Sequence, residues 1–394
     1  MATTTATFTS TSTTATSVRA AAERVPWYVW CSVFAVTSAM VGGQWDISWH
    51  RSIGRDTFWT PAHIAIYLCG VLAGISCGYL ILATTFNKNS PLRETAVSMW
   101  GFRGPLGAFM AAWGGVAMLT SAPFDDWWHS AYGLDVKIIS PPHVLLIAGI
   151  LTVEVGTLVL ILGMMNRARG ALRSRLNALY LYMGGMILIV LMTLVMEYSS
   201  RVLMHWGLFY RIMAMVIPIV LTGVAYASEK RWAATTVAAV YMIFWAGMGW
   251  ILQLFPAEPK LGPVYNKVTH FVPADFPMLL VIPALVLDIF WARTRNWNRW
   301  KLAGASGLLF LGVFMAVQWN FAEFLQSPLA RNWFFHTHLH DYAARPEWSN
   351  VRNVFAKPEL PSVFWREMGM AALAAILTTR IGLAWGEWMQ RVRR

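Results

Sequence analysis

The chain has 394 residues, is 57% hydrophobic and 13% charged, and has a mean hydropathy of +0.49, far more apolar than a soluble domain of this length can hide in a core. Its net charge of +12 is not a nucleic-acid footprint, because the basic residues gather in alternate loops between apolar runs. The three cysteines, Cys31, Cys69 and Cys77, all fall in apolar runs, and an odd number of buried thiols argues against a disulfide framework.

Residues 1–25 form a Thr/Ser-rich tail without a core-forming pattern, read as disordered; a transit peptide is the alternative, given Arg19 and Arg24. Apolar stretches long enough to cross ~30 Å of hydrocarbon follow near 26–43, 62–86, 104–121, 143–166, 177–196, 206–228, 232–254, 273–292, 302–321 and 366–387. Continuous runs of this length favour helices over a barrel, so the expected class is all-α: a polytopic transmembrane bundle of about ten spans. Lys88, Arg93 and Arg103, then Arg167 to Arg175, Lys230 and Arg231, Arg293 to Lys301 and the C-terminal arginines mark one side as cytoplasmic. Both termini are then cytoplasmic.

Between the first and second spans the chain reads WDISWHRSIGRDTFWTPAH, and between the third and fourth it reads FDDWWHSAYGLDVKIISPPH. Asp46, Trp49, His50, Gly54, Asp56, Pro61 and His63 correspond to Asp125, Trp128, His129, Gly133, Asp135, Pro141 and His143. Each copy offers D-x3-H-x12-H, one residue longer in the second, and with 9 His in the chain about one Asp in two thousand meets both offsets by chance. The four-residue spacing puts each Asp-His pair on one face of a helical turn. The prolines suit the first turn of the following helix, which places His63 and His143 at its mouth. Residues 26–166 are thus a duplicated helix-loop-helix half with its candidate sites on the outer side, and residues 167–394 supply further spans and a large outer loop near 322–365.

Trp45, Trp49, Trp59, Trp127 and Trp128 read as an interfacial aromatic belt that also shields these loops from water. Isolated ionisable residues follow. Glu154 reads as a proton path, an extra ligand or a hydrogen-bonded helix contact; Glu197 and Glu323 lie at span ends, and Asp288 is expected to pair with Arg293 or Arg295. HTHLHD, with His336, His338, His340 and Asp341, reads as an extended polar loop that could capture a metal. His205 and His270 are read as structural.

A carboxylate with two imidazoles is a ligand set for copper, iron or zinc rather than calcium or magnesium; ligand types alone point first to Fe(II), then zinc. The alternative is that these polar groups merely hydrogen-bond one another, since duplication repeats structural features as faithfully as catalytic ones. Residues 46–63 closely resemble a segment of the C subunit of the copper membrane monooxygenases, the particulate methane and ammonia monooxygenases, which runs D-x-x-W-H-x-x-x-x-R-D-T-x-x-T-P-x-H. Asp46, Trp49, His50, Arg55, Asp56, Thr57, Thr60, Pro61 and His63 stand at the matching places. The resemblance implies that Asp46, His50 and His63 bind a catalytic copper. It also implies a second metal on Asp125, His129 and His143, with Asp where the family has Asn and one more negative charge to hold a cation. It extends over 26–166; spans seven to ten have no counterpart, and the chain lacks the cupredoxin-like region that a partner subunit supplies in that family.

The function expected on this basis is a subunit of a copper-dependent membrane monooxygenase complex, working with partner subunits and dioxygen on a small methane-, ammonia- or hydrocarbon-type substrate. It would sit in a bacterial inner or intracytoplasmic membrane with its metals toward the periplasm. Asp56 would orient a ligand imidazole or pair with Arg51 or Arg55. A copper transporter or insertion factor, and a non-catalytic scaffold, are the competing readings.

Overall fold

Lipid offers no water to backbone N–H and C=O groups, so an apolar chain must satisfy them within itself. The computed structural model describes residues 24–54, 56–133, 140–228, 230–260, 268–337 and 359–393, and does so almost entirely as α-helix. Among them run α1 (Trp27–Ser52), α2 (Pro61–Phe86), α3 (Leu106–Tyr132), α4 (Pro141–Met165) and α5 (Gly170–Leu194). These are followed by α6 (Gly207–Ala227), α7 (Ala233–Leu252), α8 (Val281–Thr294), α9 (Arg299–Leu325) and α10 (Pro361–Arg391). Every apolar stretch read from the sequence overlaps one of them.

Eight of these helices, α2 to α7 with α9 and α10, are long and apolar enough to cross a membrane, which makes the chain an all-α integral membrane protein. The other two differ from the expected spans for separate reasons. At 26 residues α1 has the length, but Gln44, Asp46 and His50 dilute its hydropathy toward one end. The stretch expected at 273–292 becomes helical only at Val281, because Pro273 and Pro277 remove donors and disfavour helix in the residue before them. The 14 residues of α8 span ~21 Å, short of the hydrocarbon thickness.

Close helix approach sets the site. A Cβ on Gly42 of α1 would lie 2.8 Å from the Ala62 carbonyl oxygen and from the Ile66 nitrogen of α2. Across α3 and α4, Gly114 faces Gly149 and Gly107 faces Gly156, so glycines seven residues apart on each helix let the two backbones touch. These crossings close the α1/α2 and α3/α4 hairpins, and a Cβ on Gly70 of α2 would lie 3.1 Å from the Gly115 carbonyl oxygen of α3, so the two hairpins also touch one another. At the opposite end the strands Val97–Met99 and Phe102–Gly104 form a small antiparallel hairpin against α2. Farther along, α10 packs along α6, where Arg211 meets Glu367 at 2.8 Å.

Candidate metal centre

The described parts of both copies of the repeated motif fold the same way. α1 continues through Asp46 and His50 to Ser52, and α3 continues through Asp125 and His129 to Tyr132, so each Asp-His pair shares a helical face. Gly54 and Gly133 then turn the chain at φ 85° and 88°, the left-handed region that a side chain would strain. Pro61, and Pro141 with Pro142, open the next helices where a missing N–H does no harm, which puts His63 and His143 in the first turn.

In the first centre the His50 Nε2 is 3.7 Å from the Asp46 Oδ2, and the His63 Nε2 is 3.2 Å from the Asp46 Oδ1. Asp56 belongs to the same group. Its Oδ2 lies 3.5 Å from the His50 Nε2 and 3.2 Å from the His63 Nε2. Asp46, His50 and Asp56 bring ligand atoms within 4.8 Å of one another. The His63 imidazole, with support from the charge at His50, holds the Asp56 carboxyl down to about 2 against the opposing effect of burial. Arg51 donates to the Pro273 carbonyl oxygen at 2.9 Å rather than to Asp56, and Arg55 lies outside the described residues.

The second centre joins Asp125 Oδ2 to His129 Nε2 at 3.5 Å and Asp125 Oδ1 to His143 Nε2 at 3.5 Å. The Nδ1 of His129 sits 3.1 Å from the Gly133 carbonyl, which can only accept, so in the neutral ring the proton is on Nδ1. The Nε2 lone pair then faces a carboxylate with no hydrogen between them. A cation placed there relieves that opposition, and the carbonyl contact is the kind that orients metal-bound imidazoles. Asp46 Oδ1 and Asp125 Oδ1 are both buried and without a hydrogen bond among the described residues. Asp135, the counterpart of Asp56, lies outside the described residues.

The two centres are neighbours. Asp125 lies within electrostatic reach of His63 and Asp56, and Tyr67, one turn beyond His63, lies within reach of Asp46, Asp56 and Asp125. The Tyr67 and His63 rings are 6.0 Å apart. His50 is the open side, with 47% of its side chain exposed, whereas Asp56 keeps only 12%. The donor set of imidazole nitrogens and carboxylate oxygens fits a borderline divalent metal with one approach left to a small molecule.

Other candidates fall elsewhere. Glu154 is fully buried with no hydrogen bond among the described residues, and eleven positions along α4 separate it from His143 by ~16 Å, too far to act as an extra ligand. Asp288 does not reach Arg293 or Arg295; its carboxylate accepts from the Ala234 and Thr235 N–H groups and the Thr235 hydroxyl, satisfying the open N-terminus of α7. His205 pairs with Glu323 at 3.0 Å. His336 is not part of an extended strand: it closes a turn with φ 58°, fully buried, its Nδ1 3.2 Å from the Ala274 carbonyl. His338, His340 and Asp341 lie outside the described residues.

Sequence reasoning placed six residues at these centres and treated Asp56 as an accessory. The available signal was its position ten residues after Asp46, just past the glycine that returns the loop. No protein-family model, curated protein or solved structure matches the chain.

Proposed function

We propose that the chain is the metal-carrying subunit of a copper-dependent membrane monooxygenase complex acting on a small apolar or nitrogenous substrate. The observation that carries this reading is the paired convergence of imidazole Nε2 atoms on carboxylates at one end of the bundle. Copper bound there would supply the one-electron chemistry needed to activate dioxygen. Asp46, His50 and His63 would hold it at the first centre, and Asp125, His129 and His143 would hold a second ion. The chain's own part is to orient: α1 fixes Asp46 and His50 on one face, Pro61 starts α2 so that His63 meets them, and the Gly133 carbonyl sets the His129 tautomer. Trp49 and Phe271, 5.8 Å apart, keep an apolar wall on one side of α1.

The motif between Asp46 and His63, which resembles the monooxygenase C subunit, supports copper over iron or zinc. In this reading all ten helical segments are membrane segments, and both termini are cytoplasmic by the distribution of Lys and Arg. The centres face the periplasm of a bacterial inner or intracytoplasmic membrane, and partner subunits deliver electrons. Both centres sit at one end of the bundle, which fits chemistry at a face better than carriage across it.

Metal analysis and electron paramagnetic resonance of the nanodisc-reconstituted protein test this. Wild type is expected to carry copper with nitrogen hyperfine couplings, and His50→Ala and His129→Ala each to lose one part of it. Full copper occupancy in both variants would refute the ligand assignment. Iron or zinc in place of copper would detach the chain from the copper monooxygenases, and copper uptake into proteoliposomes without oxygen consumption would favour a transporter.

A further inference from the structure

Resting on the reading of the first centre as a metal site, we propose that Asp56 is a direct ligand, so that this centre is a two-carboxylate, two-imidazole site selective for divalent over monovalent ions. A carboxylate that merely orients a metal-bound imidazole contacts the ring nitrogen turned away from the metal. Asp56 does the opposite. Its Oδ2 faces the Nε2 atoms of both His50 and His63, the same two atoms that Asp46 faces.

The spacings agree with this role. An ion that holds nitrogen and oxygen at ~2.0–2.2 Å keeps its neighbouring ligand atoms about 3 to 4 Å apart. The four imidazole-carboxylate separations are 3.2, 3.2, 3.5 and 3.7 Å. Each Nε2 carries at most one proton, yet each faces two carboxylates, an arrangement that an ion shared by all four groups satisfies more fully than a single proton does. Asp56 is also the less exposed of the two acids, with a side chain 12% exposed against 23% for Asp46.

The charge balance gives the site its preference. Two carboxylates and two neutral imidazoles sum to two negative charges, which a dication cancels and a monocation leaves half compensated in a poorly solvated pocket. Asp56 therefore favours Cu(II), and equally Zn(II), over Cu(I). Replacing it with its uncharged isostere removes that bias.

The test is competition titration of the full-length protein in nanodiscs with Cu(II), Zn(II) and Cu(I) in turn, for wild type, Asp56→Asn, Asp56→Glu and Asp46→Asn. Each variant is also followed by nitrogen hyperfine spectroscopy and by metal-free thermal unfolding. Asp56→Asn is expected to weaken Cu(II) and Zn(II) at the first centre about 100-fold, as much as Asp46→Asn does, with Cu(I) changed about tenfold or less. Asp56→Glu, which keeps the charge, is expected to recover most of the divalent affinity, and it stands in if Asp56→Asn does not fold. Unchanged divalent affinity in Asp56→Asn, or equal losses for Cu(II) and Cu(I), would overturn direct ligation while leaving the metal reading intact. A wild-type protein that binds none of these ions would overturn both.

Discussion

His336 shows how one residue can hold a loop to the bundle. Its backbone sits in the left-handed region, which histidine enters more readily than most residues, and its ring fills the space that a Cβ on Gly249 of α7 would need. Burial presses the imidazole down to about 4, with the Ala274 carbonyl and the Asp275 charge pulling weakly the other way. The folded value lies below the unfolded value of ~6.5, so between these limits the unfolded chain binds more protons. His336 therefore contributes fully above pH ~6.5, and its contribution falls away as the pH drops toward 4, on the order of 3 kcal/mol over the window. Thermal unfolding in detergent from pH 7.5 to 4.5 is expected to show a steeper loss for wild type than for His336→Asn, which tolerates the same backbone without titrating. Parallel curves would remove His336 as the titrating group.

At the scale of helices, the second centre depends on how closely α3 and α4 approach. A Cβ on Gly114 would lie 2.7 Å from the Gly149 carbonyl oxygen, and one on Gly149 would lie 2.9 Å from that of Gly114. Gly114→Ala must therefore push the helices apart, at ~1–3 kcal/mol, and with them His129 and His143. Gly74 of α2 has nothing within 4 Å of the same position, so Gly74→Ala is the control. Gly114→Ala is expected to lower the unfolding temperature and the metal content of the second centre, and Gly74→Ala to do neither; equal behaviour would show that the crossing does not set the site. The sequence carried the helices and the repeat well, because lipid demands long apolar runs and the Asp-His spacing matches a helical turn. Features that depend on distant partners were not legible in it. Asp288 has arginines nearby in sequence, yet the unsatisfied N–H groups at the start of α7 claim its carboxylate. Asp56 could be placed only once the turn at Gly54 had folded it back onto His50 and His63. The helix expected from 273 failed where Pro273 and Pro277 outweighed hydropathy.

Across the whole molecule, residues 167–394 bear directly on the first centre. The segment before α8 lies against the end of α1: the Ser48 hydroxyl donates to the Val272 carbonyl at 2.8 Å, and the Val272 N–H donates to the Ser52 hydroxyl at 2.7 Å. Arg51 donates to the Pro273 carbonyl, and the Lys260 N–H donates to the Ile53 carbonyl at 3.0 Å. Ile53, Leu252, Ala257 and Phe271 close over the same place as an apolar cluster. Far from it, the Asn166 side chain after α4 donates to the Met389 and Val392 carbonyls at 2.9 and 2.7 Å, so the two halves are joined at both ends of the bundle. The helical turn that carries Asp46 and His50 is thus pinned from outside the repeated half. Replacing Ser48 and Ser52 together by Ala removes three buried hydrogen bonds, the third from the Ser52 hydroxyl to the Ser48 carbonyl, and strands the Val272 backbone groups, a cost of about 1–3 kcal/mol for each group left unpaired. Metal titration of Ser48→Ala/Ser52→Ala is expected to show weaker binding at the first centre with the second unchanged, because Asp125, His129 and His143 stand on α3 and α4. If both centres weakened together, the loss would belong to general instability; if neither did, the contacts from the C-terminal half would be packing without influence on the metal ligands.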